Sequence, residues 1–237
     1  NGAIQLGSTR DFLLKDMGGP EEEVYQRALW IFEQIDRQDV RYVLMHVGKA
    51  GAKTSIARWV MARQLQLLLS RPTPASDFGL MADEWLGVAN LSGSGKDQAQ
   101  IAIFSSLKVM LGKSPWFKEH APARDLKEYI EFPKNIAAVC GSSSSTSKEG
   151  IGIVCGVADE VCRLPTVPGQ GSVRADDLVK PVLETGVSRF AGFWKLVVMS
   201  WPEHQDDWMH REIKKRIEVE GVARDLTSEF MSVPLTR

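Results

Sequence analysis

Cysteine is scarce and poorly spaced for chemistry: Cys140, Cys155 and Cys162 are the only three in 237 residues, with no C-x-x-C pair and an odd count. That argues against both a disulfide framework and a zinc site, and leaves buried thiols as the expectation. The four histidines, His46, His120, His204 and His210, share no ligand spacing. No apolar run is long enough to cross a bilayer, and the chain from Asn1 onward lacks the basic-then-apolar order of a secretion signal. A cytosolic protein with no membrane partner is expected. Excess charge is missing too: 29 basic residues face 30 acidic ones, so any DNA contact would need a local patch or a ring of subunits. No internal repeat is evident. What remains is ordinary globular composition, 43% hydrophobic and 25% charged, in a length that suits one sizeable core. A start at Asn1 rather than Met fits one part of a longer protein.

Along the chain, apolar residues recur at helical spacing over Glu21–Asp36, after a Gly-Gly-Pro break. Arg41–Val47 is a short run of strand formers, followed by a Gly-containing loop and by Ile56–Leu69, long and strongly apolar. A second strand is expected at Glu84–Leu91 and a helix over Asp97–Leu111. Tyr129–Phe132 and Ile136–Val139 flank a turn-like Pro133-Lys134-Asn135, as in a hairpin. The Ser-rich run Gly141–Gly150 reads as a loop, by composition a connector. Ile151–Ala158 is continuously apolar, as a central strand covered on both faces would be, and ends in Asp159-Glu160. Ala175–Glu184 reads as a helix, Trp194–Met199 as a last buried strand ending at Ser200, and Gln205–Glu220 as a charged surface helix. Strands alternating with helices predict an α/β fold with a mostly parallel sheet flanked by helices, whose ligands gather at the carboxyl ends of the strands. The expected organisation is one domain: a helical lead-in over 1–40, a core over 41–204, and a C-terminal helix and linker over 205–237.

The phosphate-loop pattern G-x-x-x-x-G-K-[ST] puts backbone N–H groups around phosphate oxygens at a helix start, a lysine on the terminal phosphates and a hydroxyl on magnesium. Here the candidate is Gly48-Lys49-Ala50-Gly51-Ala52-Lys53-Thr54, with Val47 at the first Gly position and Ala52 at the second. By the strict pattern it misses, but its place between a buried strand and a long apolar helix is the context the pattern requires. A methyl group at position 52 requires negative φ or a slightly reshaped loop. The alternative is a structural strand-to-helix turn that happens to carry Lys53. A second string, Gly93-Ser94-Gly95-Lys96-Asp97, has an anion where the hydroxyl belongs and reads as an ordinary turn capped by Asp97.

Hydrolysis of ATP needs Mg2+ to draw charge off the phosphates and a base to aim water at the γ-phosphorus. Asp159 at a strand tip suits the metal, and Glu160 suits the water; a solvated strand terminus is the other reading. Lys49 is placed either for the γ-phosphate or for solvent. Arg189 is an arginine finger toward a neighbouring subunit or a plain surface arginine. The seven tryptophans, Trp201 and Trp208 among them, are expected to pack rather than to stack on bases.

Taken in order, these segments resemble the large terminase subunit of tailed bacteriophages, the ATPase that packages DNA into the capsid. Gly48–Thr54 looks like that family's divergent phosphate loop. Trp85–Leu91 followed by Asp97-Gln98-Ala99, then Ser114-Pro115-Trp116-Phe117, is similar to its next strand, helix and following stretch. Glu131–Gly150 leading into Ile151–Glu160 resembles its metal-binding strand, and Val197–Pro202 resembles its coupling strand. The likeness spans roughly residues 20 to 210 and lies in the order of the segments.

The resemblance implies a P-loop NTPase fold of the additional-strand (ASCE) type and ATP with Mg2+. It implies a homo-oligomeric ring at the capsid portal, possible monomers for an isolated domain, and double-stranded DNA, portal protein and small terminase subunit as partners in the host cell cytoplasm. It assigns Lys53 to phosphate, Thr54 and Asp159 to Mg2+, Glu160 to catalysis, Lys49 to γ-phosphate sensing, Ser200 to coupling and Gln26 to adenine. The family's nuclease domain has no room before Arg237, so cleavage is not expected of this segment. A helicase-like ATPase on another nucleic acid, and a docking module with a degenerate loop that no longer hydrolyses ATP, stay open.

Overall fold

The computed structural model describes residues 6–19, 26–48, 51–91, 103–141, 150–164, 174–190, 192–201, 207–220 and 230–232. Its centre is an eight-stranded sheet in the order β3-β4-β5-β2-β6-β7-β1-β8. The strands are β1 (Tyr42–His46), β2 (Trp85–Leu91), β3 (Arg124–Leu126), β4 (Tyr129–Phe132), β5 (Ile136–Gly141), β6 (Ile151–Ala158), β7 (Lys195–Ser200) and β8 (Phe230–Ser232). From β5 to β8 every neighbouring pair is parallel, while β3, β4 and β5 form an antiparallel edge. The main helices are α1 (Gln26–Asp36), α2 (Lys53–Leu69), α3 (Ser105–Lys113), α4 (Ala175–Arg189) and α5 (Trp208–Glu220).

Parallel strands covered on both faces must be apolar throughout, and β5, β6 and β7 are buried along nearly their whole length. α2 packs on β2, β5 and β6, whereas α4 packs on β6 and β7. Right-handed crossovers put them on opposite faces, because β1 to β2 runs one way along the sheet and β6 to β7 the other. Glycines permit the close approach of α4: a Cβ on Gly156 would meet Val182 at 3.0 Å, and one on Gly186 would meet Trp194 at 2.7 Å.

β7 is hydrogen-bonded to β1 on one side and β6 on the other, so it separates the strand before the candidate phosphate loop from the strand before Asp159. In register His46 lies opposite Ser200, and Ala158 opposite Val198. This inserted strand is the additional-strand arrangement the sequence led us to expect. The hairpin over Tyr129–Gly141 forms, its turn held by Lys134 and Asn135, both at positive φ. The helix expected over Asp97–Leu111 is seen from Ser105 to Lys113, its earlier part and the string Gly93–Asp97 lying outside the described residues.

The N-terminal segment, helical over Thr9–Asp11 and π-helical over Phe12–Asp16, is tied down by a polar network rather than by apolar contact alone. Arg63 on α2 donates to Asp36, to Gln66 and to the Gly7 carbonyl, and Gln66 donates to Asp16 at 2.6 Å. Every partner in that network is paired, which makes polar groups tolerable at a buried position.

Candidate functional site

The loop leaves β1 at Val47, whose amide donates to the Ser200 carbonyl at 2.9 Å, and folds back so that the Gly51 amide donates to the Gly48 carbonyl at 3.3 Å. A Cβ on Gly51 would lie 2.1 Å from Val47 Cγ1, so only glycine fits there. Ala52 takes φ 59° and ψ 16°, left-handed. Of the two expectations, negative φ or a slightly reshaped loop, the first does not hold: the backbone takes a turn that suits glycine, and alanine bears the cost. From Ala52 the helix begins, its carbonyl accepting from Ile56 at 3.0 Å, and the first amides of a helix have no partner within it.

Lys53 folds over the loop, its Nζ donating to the carbonyls of Val47 and Gly48 at 2.9 Å each. Burial draws its pKa below the usual lysine value, while the negative charges of Asp159 and Glu160 pull the other way. Those charges act on Lys53 from residues more than a hundred positions away in sequence. Thr54 is exposed in the first turn of α2, and Lys49 and Ala50 lie outside the described residues.

Beyond β6 the chain turns sharply. Asp159 Oδ1 accepts the Glu160 amide at 2.8 Å, and Glu160 itself is left-handed at φ 55°. Of the four non-glycine residues at positive φ among the described residues, two are the hairpin pair and two are Ala52 and Glu160, one on each side of this site. Such strain persists where surrounding structure enforces it, commonly at functional sites. Burial raises the Asp159 pKa, with Glu160 adding to the shift and the Glu160 amide, Lys53 and Arg163 opposing it.

Arg163, absent from the sequence-based candidates, holds Glu160 in an ion pair at 3.2 Å and lies 5.0 Å from the centre of the Trp201 ring. Its only signal in sequence was a basic residue three positions after Glu160. Ser200 joins both halves: its carbonyl takes the Val47 amide, and its hydroxyl takes the Cys162 amide at 3.1 Å.

Other expected residues fall elsewhere. Arg189 ends α4, at the amino edge of the parallel strands, and pairs with Glu84 at 2.8 Å. It therefore sits across the sheet from this chain's own Lys53, and the finger role expected of it is toward a neighbouring subunit. Gln26 is exposed on the first described turn of α1. A cleft of about 590 Å³ opens on that same far side, beside Asp36, Arg63, Arg71, Phe193 and Lys195. Its charges are already engaged, Arg63 with Asp36, Arg71 with Asp77 and Lys195 with backbone carbonyls, so the chemistry points to the loop instead.

Sequence spacing also missed a convergence of His46, Cys162 and Asp207, whose ligand-type atoms lie within 4.8 Å of one another. Burial pushes the Cys162 thiol up to about 11, with the Ser200 hydroxyl and the Met209 backbone opposing the shift and the Asp207 carboxylate adding to it.

Comparison with solved structures gives the large terminase of bacteriophage HK97, with a TM-score of 0.60 and 12% identity over 90% of this chain. It also gives the large terminase of a thermophilic bacteriophage, with a TM-score of 0.49 and 11% identity over 88% of this chain. The chain spans about 40% of the length of the HK97 protein and about 44% of the thermophilic phage's protein. The HK97 likeness is one of fold, and it agrees with the fold that the order of segments implied. No curated protein matches. The family described as "Uncharacterized protein MJ0330, N-terminal P-loop domain" matches residues 21–227. The match covers most of the chain, and the chain belongs to that family.

Proposed function

We propose that this chain is the ATP-hydrolysing motor domain of a terminase-type machine that drives double-stranded DNA into a procapsid. The observation that carries the reading is geometric: Ser200, at the end of the inserted strand β7, takes the Val47 amide at the base of the loop on its carbonyl and the Cys162 amide of the carboxylate turn on its hydroxyl, so the two segments meet at one point. The donor set fits Mg-ATP: loop amides and an ammonium for phosphate, and a hydroxyl with a buried carboxylate for the metal. Bound Mg2+ would draw electron density from the β- and γ-phosphates.

In this reading Gly48–Thr54, including Lys49, Ala50, Gly51 and Ala52, wraps the phosphates. Lys53 exchanges its two carbonyl acceptors for phosphate oxygens, and Lys49 reaches the γ-phosphate. Thr54 and Asp159 hold Mg2+. Glu160, once released from Arg163, takes a proton from the attacking water through its carboxylate. Ser200 couples the two segments by its bonds to the base of the loop and to the carboxylate turn. DNA, a portal protein, a small terminase subunit and a ring of copies in the host cytoplasm complete the proposal.

The test is steady-state ATPase of the chain with and without DNA. Glu160→Gln should lose roughly 10²–10⁴-fold in turnover while keeping nucleotide affinity, and Lys53→Ala should lose the affinity. The left-handed Ala52 favours a second reading, a docking module that binds nucleotide without turnover. Equal and negligible turnover in wild type and Glu160→Gln would select that module. Strand displacement on a forked duplex would select a helicase-like enzyme.

A further inference from the structure

His46, Cys162 and Asp207 come from three distant parts of the chain: the end of β1, the turn after Glu160, and the residue before α5. We propose that they form a binding site for one zinc-class transition-metal ion, separate from the nucleotide site and placed to fix the loop and the carboxylate turn relative to each other.

Several observations support it. His46 Nε2 is buried without a hydrogen-bond partner, and the nearest acidic oxygen is Asp207 Oδ2 at 3.5 Å. Asp207 is already oriented: its Oδ1 accepts the His210 amide at 2.8 Å, which leaves Oδ2 toward His46. Its side chain is 2% exposed, so the oxygen turned to His46 is shielded from bulk water. Cys162 is partly exposed, which gives an ion a path from solvent, and its amide is held by Ser200 Oγ. The ligand atoms span at most 4.8 Å, and a tetrahedral zinc site places its ligands about 3.3–3.8 Å apart, so a contraction of about 1 Å closes the site. An imidazole nitrogen, a sulfur and one carboxylate oxygen suit zinc, and suit Mg2+ or Ca2+ poorly. Three protein ligands leave one position for water. On binding, the Cys162 thiol releases its proton to solvent and no electrons move.

The consequence follows from position. His46 lies two residues before Gly48, Cys162 two residues after Glu160, and Asp207 opens α5. An ion there would tie the base of the phosphate loop to the carboxylate turn and to the C-terminal helix at one point.

The experiment uses the untagged 237-residue chain, stripped with chelator and titrated with Zn2+, with Co2+ as the spectroscopic probe. One equivalent of Zn2+ should bind, and Co2+ should give a thiolate charge-transfer band. Cys162→Ser and Asp207→Asn should each weaken binding by roughly 10- to 100-fold, while His120→Gln leaves it unchanged. Absence of the band, or full affinity in Cys162→Ser, overturns the site. Should those variants fail to fold, alkylation of wild type decides. Zn2+ should slow iodoacetamide modification of Cys162 roughly tenfold, and an unchanged rate overturns the proposal.

Discussion

Ala52 is held in a conformation that costs an L-residue about 1–2 kcal/mol, because its Cβ crowds the carbonyl oxygen. Ala52→Gly removes that cost but loosens the unfolded chain, so the net gain is expected to be about 0.5–1 kcal/mol by chemical denaturation. A loss of stability would mean the loop relaxes away from positive φ. Asp159 carries a second residue-scale cost. Its folded pKa is raised above 3.8, so the folded state binds its proton more tightly than the unfolded state does. Stability is therefore lost as pH climbs from the unfolded pKa through the folded one, and the full penalty stands at neutral pH. Asp159→Asn keeps an oxygen for the Glu160 amide and should raise the Tm at pH 7.5 by about 2–4 °C. The gap should close as pH falls to about 4; a lower Tm at pH 7.5 would show that Lys53 outweighs burial. Lys53, Thr54, Asp159 and Glu160 could be picked out in sequence because each sits at a strand-to-helix or strand-to-turn junction. Arg163 left only a basic residue three positions after Glu160, too common a pattern to single out, and the trio His46, Cys162 and Asp207 left nothing, since a convergence of distant segments has no spacing.

Elements were legible to the degree that burial dictates them. β6 and β7 are apolar because they are buried along nearly their whole length, and the sequence shows that directly. β3 is the opposite case: Arg124, Asp125 and Leu126 are all exposed, and the strand exists only because β4 offers it an edge. β8 is three residues that pair with β1, too short for any pattern. α1 and β7 also share a device that periodicity does not reveal. Lys195, 5% exposed at the start of β7, donates to the carbonyls of Ile35, Arg37 and Val40, where α1 ends and the chain turns toward β1. The ammonium satisfies the carbonyls that a helix terminus leaves open. Lys195→Met keeps the stem but strands those acceptors in the interior, and is expected to cost about 2–4 kcal/mol in urea denaturation. A cost below about 0.5 kcal/mol would mean that water replaces the ammonium there.

At the scale of the whole molecule, the sheet divides into a covered centre and a thinner antiparallel edge, and the proposed site spans two loops of the centre. Amide exchange should follow that division, since opening is easiest where backbone bonds are exposed and few apolar groups cover them. Peptides over 151–158 and 195–200 should exchange slowest, and those over 124–132 much sooner. Mg-ATP should then slow exchange in two separate places at once, the loop and first turn of α2 around Gly51–Ile56 and the carboxylate turn around Asp159–Arg163. Both are expected because Ser200 bonds the base of the loop and the turn, and the charges of Asp159 and Glu160 act on Lys53. Protection confined to Gly51–Ile56 would mean that phosphate binds without engaging the acids, as a docking module would bind it. Protection of both, weakened at the turn by Ser200→Ala but kept at the loop, would mark that hydroxyl as the link between binding and movement.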